Sequence, residues 1–439
     1  MQAVPPELMS EIMALALRDI SQREEGSKAR GQVASVNKRW RDILYDTGEI
    51  SPSRMQRTKR IESGELWDVV FVHFGMDLAH IKHICDLASK PSAPLADLHV
   101  SSEKEHEPDA DDLEGCDSIQ ELTLWVVAVA GFLAPVVANS KAIRVDSAAP
   151  HGIFMLLGSM GTQHALQLRR LKCYATIPHT DNFNYLQSVR SRRLQHLSVS
   201  RIHPFGLVPV GQSPNLLFGV TVLRMLYISC LDWDQMRAIL ISCNALEELD
   251  VVDIDCSGDP GLAVIQLPHL HTLNIDIAEA GGLELAAILR TPAIVTLVVR
   301  GVSDSNWARF ILDFGEALRS VRNCCICTWV YTDSIRALIG ELHTVEAIDI
   351  RAGRSRFLAD LTRTDQNGRP VLKQLKRWIV SAEITFDQAT VLFGWPEARV
   401  ESIYAEKKDD EENRFVRWEQ VDEGYNLRVI RVENEPYFV

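Results

Sequence analysis

Leu246-Glu247-Glu248-Leu249-Asp250-Val251, Leu270-His271-Thr272-Leu273-Asn274-Ile275 and Ile294-Val295-Thr296-Leu297-Val298-Val299 decide how this chain folds. Each has the form apolar-x-x-apolar-x-apolar, and a fourth copy is read at Leu223, Leu226 and Ile228. The central residues fall at 226, 249, 273 and 297, in steps of 23, 24 and 24. A period of this length marks stacked repeats, none of which buries its apolar face alone. Alternate residues in the second half of the motif point one way, which is the period of a strand. The chain must then return. After Leu226, Trp233 and Met236 to Ile241 place apolar residues at helical spacing, with Asp232 or Asp234 positioned to cap the first turn. Parallel strands need crossovers of about a dozen residues, and right-handed crossovers stack such units side by side. The expected fold class is therefore α/β: a solenoid with parallel strands on a concave face and helices outside.

The same register extends backwards through Leu98, Leu122, Ile143, Leu171 and Leu197, and forwards through Cys324, Ile348 and Leu375, giving twelve candidate units. Leu122 to Ala138 is apolar except for Thr123. It is shorter than the ~20 residues that span a bilayer, it carries Gly131 and Pro135, and it starts in register with the repeat. A buried strand followed by a packed helix is expected there, and no membrane span.

With 439 residues the chain exceeds an ordinary single core unless that core grows in one direction. Its 46% hydrophobic and 24% charged residues are those of a folded, water-soluble protein. A net charge of −13 repels phosphate backbones and argues against nucleic acid as a partner. Nine cysteines, among them the scattered Cys85, Cys116, Cys173 and Cys230, form no repeated C-x-x-C pair. Reduced thiols in the cytoplasm or nucleus fit that pattern. Met1 to Ser10 holds two prolines and Glu7 where a secretory signal would need a basic and then an apolar stretch.

The repeats resemble the leucine-rich-repeat family, with Leu246-x-x-Leu249-x-Val251 as the local match and no regular asparagine after each strand. Ahead of them, Leu8, Ile12 and Leu15 form a helical stripe introduced by Pro5 and Pro6, and Val33, Val36, Trp40, Ile43 and Leu44 form a second. The elements Val4-Pro5-Pro6-Glu7-Leu8 and Val36-Asn37-Lys38-Arg39-Trp40-Arg41-Asp42-Ile43 resemble an F-box, and the whole resembles fungal F-box proteins with irregular leucine-rich repeats. That resemblance implies docking to the Skp-type adaptor of a cullin-RING ubiquitin ligase through Pro5, Pro6, Leu8, Ile12, Val36 and Trp40. The alternative is a helix pair that only caps the solenoid. The expected domains are an F-box-like helical segment (1–55), a helical connector and amino-terminal cap (56–94), the repeats (95–385) and a carboxy-terminal cap and tail (386–439).

Other constellations read as structural. Cys324, Cys325 and Cys327 lack a second pair of metal ligands, and Cys324 occupies a strand position where cysteine serves as a small hydrophobe. His80 and His83, with Cys85 beyond, suit a helix better than a metal. Gly281-Gly282 lacks the lysine and hydroxyl of a phosphate cradle. No nucleophile is assembled with a base, so neither an enzyme nor a cofactor is expected. The acidic tracts Glu103 to Asp117 and Lys407 to Glu412 read as solvated loops. Phe415-x-x-Trp418 and Leu427-x-Val429 suggest short strands covering the last repeat.

The outward positions of the strands are the expected contacts to a protein target. By register these are Arg170, Lys172, Tyr174, His196, Tyr227, Glu248, Asp250, Asn274, Asp276, Arg300, Asp349 and Arg351. Early strands would present positive charge and middle ones negative. The functional expectation is a non-catalytic substrate-recognition subunit, and the alternative is an interaction scaffold with no ubiquitin role.

Overall fold

The computed structural model describes residues 69–89, 97–101, 116–147, 156–159, 165–175, 191–202, 217–328, 332–352, 372–380, 402–409, 412–420 and 427–432, apart from single positions within those spans. Two compact lobes, Met1–Val220 and Thr221–Val439, are distinguished by their internal contacts. The F-box-like segment, with Pro5, Pro6, Leu8, Ile12, Val36 and Trp40, lies outside the described residues, as does most of the first acidic tract.

The first lobe contains β1 (Val69–His73), α1 (Leu78–Ala88), β2 (Asp97–Ser101), α2 (Cys116–Ala138), β3 (Ala142–Ser147), β4 (Arg170–Ala175) and β5 (His196–Ser200). The strands lie in sequence order and all are parallel. Their register aligns Val70, Leu98, Ile143, Leu171 and Leu197 in one buried row, and Val72, Val100, Val145, Cys173 and Val199 in the next. β1 falls within the stretch expected to be helical, so among the described residues the parallel stack includes one strand ahead of the first apolar motif. In α1, Ile81, Ile84, Cys85 and Ala88 form the buried stripe, and the Asp77 carboxylate accepts the His80 backbone N–H at 3.1 Å as an amino-terminal cap. His80, His83 and Cys85 thus belong to one packed helix.

Leu122 is no strand residue. It lies inside α2, whose buried side chains Trp125, Val126, Val129, Leu133, Val136 and Val137 recur at helical spacing while Leu124 and Val127 face solvent. The expected strand fails because apolar-x-x-apolar also fits one helical turn, and over 23 residues the 3.6-residue stripe outweighs a single i, i+3, i+5 match. Trp125 packs edge-on against Phe74 with ring centroids 5.5 Å apart. Among the described residues no helix is long and apolar enough to cross a membrane.

The second lobe runs β6 (Val222–Asp232), α3 (Trp233–Ser242), β7 (Glu248–Ser257), β8 (Ile265–Gln266), β9 (Thr272–Asp276), α4 (Ala280–Ile288), β10 (Leu289–Arg290), β11 (Thr296–Gly301), α5 (Asp304–Leu318), β12 (Asn323–Thr328), α6 (Asp333–Glu341), β13 (Ala347–Ala352), β14 (Arg377–Val380), β15 (Ser402–Asp409), β16 (Glu412–Gln420) and β17 (Leu427–Val432). β6, β7, β9, β11, β12, β13, β14 and β15 pair in parallel, in that order. β16 and β17 continue the sheet antiparallel, and β8 pairs with β10 separately. Lys407 to Asp409 and Glu412 therefore lie in paired strands, with Asp409 opposite Glu412, where a solvated loop was expected. The lobe is α/β, with a parallel sheet built strand upon strand as in a solenoid.

Its central row is Leu223, Leu249, Leu273, Leu297, Cys324, Ile348 and Trp378. Two expected register positions are corrected. Leu223 aligns with Leu249, whereas Leu226 pairs with Val252 and is only half-buried. Trp378 takes the place expected for Leu375, which is buried in the turn before the strand. The first shift has a backbone cause: Tyr227 and Asp253 have φ of 55° and 51°. A left-handed residue at the same place in both strands adds one extra outward position, so Ile228 and Ile254 return to the core one residue later.

A backbone ladder marks the repeat where the asparagines are missing. The carbonyls of Thr221, Glu247, His271, Val295, Arg322 and Glu346 each accept two successive N–H groups from the start of the next strand, at 2.7 to 3.1 Å. Helix starts are capped locally. Asp232 accepts the Gln235 N–H at 2.7 Å in a capping box, and the Ser303 and Thr332 side chains cap α5 and α6 by accepting the Asn306 and Ile335 N–H groups.

Candidate functional site

Strand alternation sends one set of side chains in each lobe into the core and the other onto an open face. On the first lobe that face places Asp97, Ala142, Arg170 and His196 in one row, His99, Arg144, Lys172 and Ser198 in the next, and Ser101, Asp146, Tyr174 and Ser200 in the third. Arg170, Lys172, Tyr174 and His196 lie together, as the register predicts. The expected positive patch is nonetheless largely neutralised. Arg170 donates to Asp97 at 2.7 Å across the intervening strand, with the Lys141 ammonium 3.8 Å from the same carboxylate. Arg144 grips Asp146 with one guanidinium edge, through Nε at 3.0 Å and Nη2 at 2.8 Å, and lies over the Tyr174 ring at 5.2 Å. His99 Nε2 donates to Asp146 at 2.7 Å, and the Tyr174 hydroxyl is 3.2 Å from that of Ser198.

Asp97, His99, Arg144 and Asp146 were not among the candidate residues. Their strands were in the assigned register, so alternation alone would have placed them on this face. Their pairing required knowing which strands adjoin. Burial would push the Asp146 carboxyl up, but hydrogen bonds from His99 and Arg144 outweigh it and hold the group below the usual carboxylate range. A depressed folded value stabilises the folded state above the ordinary aspartate range near about 4, and the contribution fades as pH falls through the folded value. Asp146→Asn is therefore expected to lose about 2 kcal/mol at neutral pH. In thermal melts of both proteins the gap should close towards acid; a gap that stays constant down to the acid limit would contradict the pairing.

On the second lobe the open face carries Glu248, Thr272, Thr296, Asn323 and Ala347 in one row, Arg224, Asp250, Asn274, Val298, Cys325 and Asp349 in the next, and Arg300, Cys327 and Arg351 beyond. Arg224 was missed because the register at Leu226 hid it, and its Nε stands 3.9 Å from Asp250. Tyr227 is exposed, but at the left-handed position after the row and outside it. Arg300 donates to Asn274 at 2.7 Å. Burial raises the carboxyls of Asp250 and Asp276, and the charge of Arg300 opposes the rise at both.

Asp349 is corrected from a contact residue to a support. Its side chain is fully buried, with Oδ2 accepting from Arg351 Nε at 3.0 Å and from the Cys325 thiol at 3.4 Å, while Oδ1 has no hydrogen-bond partner. Burial pushes its carboxyl up, against the nearby Arg351 charge. Asp349 therefore fixes Arg351 and cannot itself meet a partner. Among the described residues no group of three or more His, Cys, Asp or Glu side chains is arranged to hold a metal ion.

No family model matches the sequence, and no curated protein matches it. Among solved structures, the chain is similar to one described as the crystal structure of the Rad7 and Elc1 complex in yeast. The sequences are 11% identical, the alignment covers 87% of this chain and 94% of the matched one, and the TM-score is 0.30.

Proposed function

We propose that this chain is a non-catalytic substrate-recognition subunit of a cullin-RING ubiquitin ligase, working in the cytoplasm or nucleus. In this reading residues 1–55 form an F-box that docks to the Skp-type adaptor through Pro5, Pro6, Leu8, Ile12, Val36 and Trp40. The parallel repeats behind it form a leucine-rich-repeat solenoid, and the polar rows of its open faces hold the protein target while other subunits transfer ubiquitin.

The observation that carries the reading is the motif Val36-x-x-x-Trp40-x-x-Ile43 ahead of a long series of parallel repeats. The open faces support the binding half of the proposal. Charged side chains there are held on regular strands by partners from other strands, Arg170 by Asp97 two strands away and Arg300 by Asn274 on the adjacent strand. Side chains fixed before binding lose little freedom on association, and opposed charges in a fixed pattern select partners more than they add affinity.

Affinity purification of the intact chain with a Skp-type adaptor tests the ligase half. Wild type is expected to retain the adaptor, and Leu8→Ala with Trp40→Ala to release it while circular dichroism stays unchanged. Failure of the wild-type chain to bind any such adaptor would remove the ligase role and leave an interaction scaffold.

A further inference from the structure

β12 reads Asn323-Cys324-Cys325-Ile326-Cys327-Thr328. Alternation sends Cys324 and Ile326 into the core and brings Cys325 and Cys327 onto the open face, with their sulfurs 3.7 Å apart. The two thiols have different surroundings. Cys325 is buried and lies in register with Asp349; its single S–H stands 3.4 Å from that carboxylate and 3.7 Å from the Cys327 sulfur, and donates to one of them at a time. Cys327 is only half-buried and lies in register with Arg300 on one neighbouring strand and Arg351 on the other.

We propose that Cys325 and Cys327 are a reversible peroxide-sensitive pair, in which Cys327 is oxidised first and Cys325 closes the disulfide. The Cys327 thiolate attacks one oxygen of hydrogen peroxide; the O–O bond breaks, a sulfenic acid forms, and the departing hydroxide is protonated to water. Cys325 then gives up its proton and attacks the Cys327 sulfur. The S–O bond breaks, the S–S bond forms, and hydroxide leaves to become the second water. Two electrons pass from the two thiols to one peroxide, and a small thiol reductant reverses the change.

The environment sets the order of the steps. When the Cys325 S–H turns to Cys327, that hydrogen bond, and then the charges of Arg351 and Arg300, draw the Cys327 thiol below its usual range. Cys325 is pushed up by its bond to Cys327, by burial and by the Asp349 charge, so it keeps its proton until the sulfenic acid has formed. Burial pushes the thiols of Cys85, Cys243 and Cys256 up to about 12. Two residues along a strand separate the Cα atoms by about 6.6 Å, and the Cβ atoms on the same face by about as much; a disulfide needs Cβ atoms about 3.5–4.5 Å apart, so the strand must bend locally to close it. The closed form is strained and correspondingly easy to reduce. Closing it draws Cys325 from Asp349 and disturbs the support of Arg351, so oxidation would be read out on the open face.

The test uses the intact, reduced chain at neutral pH with a slight excess of hydrogen peroxide, followed by alkylation and peptide mapping; no partner is needed, so the result stands apart from the ligase reading. The peptide holding Cys324, Cys325 and Cys327 should lose two hydrogens, keep one alkylatable thiol at Cys324, and be restored by dithiothreitol. Cys327 should react at least about tenfold faster than in the denatured chain. Cys325→Ser, whose hydroxyl can still donate to Asp349, should trap Cys327 as a dimedone-reactive sulfenic acid, and Cys327→Ser should leave the peptide reduced. A bond to Cys324 instead, or oxidation of Cys327 no faster than in the denatured chain, overturns the proposal; both readings come from the wild-type protein and do not depend on a variant folding.

Discussion

Gly282→Ala is expected to destabilise the second lobe by at least about 4 kcal/mol, although it adds one methyl group to a helix. A Cβ at Gly282 would collide with the backbone oxygen of Asp276, and one at Gly281 would lie 2.5 Å from that of Ile254. These atoms belong to the strands beneath α4. Neither is the yielding tip of a side chain, so the helix must lift or the strand ends must move. Glycine is used here for close approach, not for turning the chain. The control is Gly315→Ala in α5, where a Cβ would meet nothing within 4 Å. Alanine favours a helix over glycine by about 1 kcal/mol, so the control should be neutral or stabilising. Urea unfolding followed by tryptophan fluorescence gives both midpoints. Equal midpoints for the two variants would mean that α4 does not cross the strand ends this closely.

Trp307→Ala should remove about 3–5 kcal/mol from the same lobe. Trp307 is fully buried on α5, and its ring lies against the backbone of Gly301: a Cβ there would be 2.9 Å from the ring and 2.9 Å from Ile277. Phe310, Phe314 and Leu318 continue the same buried stripe, with the two phenyl rings stacked at 5.2 Å. Alanine would leave a cavity between α5 and the sheet that close-packed neighbours fill only in part. Trp307→Phe is the informative comparison. It keeps much of the volume and removes the indole N–H, which has no hydrogen-bond partner, so its loss should be well under half that of alanine. Guanidinium midpoints for the three proteins check the order. An alanine variant within about 1 kcal/mol of wild type would show that the α5 packing contributes little.

Gly281-Gly282 also shows where reading the sequence runs out. The absence of a phosphate-loop lysine was plain from neighbouring residues, but the positive role of the pair was invisible. It depends on Asp276 and Ile254, whose positions follow from how α4 crosses the sheet. Charge behaves likewise. Arg170, Lys172, Glu248 and Asp250 were assigned to an outward face by alternation alone. That Arg170 meets Asp97, 73 residues away, and Arg224 meets Asp250 depends on which strands are neighbours. An ion pair has no period in a sequence.

The sequence by itself determined the parallel repeat and its α/β class, because burying one row of every strand forces an apolar residue at Leu249, Leu273, Leu297 and Ile348 in a repeating frame. It also narrowed the helix cap to Asp232 or Asp234, since a cap and its helix are neighbours along the chain, and the structure selects Asp232. Only the tertiary structure decided between strand and helix at Leu122, where the repeat motif and a helical stripe share an i, i+3 spacing. Only it moved the central position from Leu226 to Leu223, because the left-handed Tyr227 within the strand shifts the frame. And only it separated Cys324, in the core, from Cys325 and Cys327 between two arginine-bearing strands, because the chemistry of a thiol is set by what stands beside it in space.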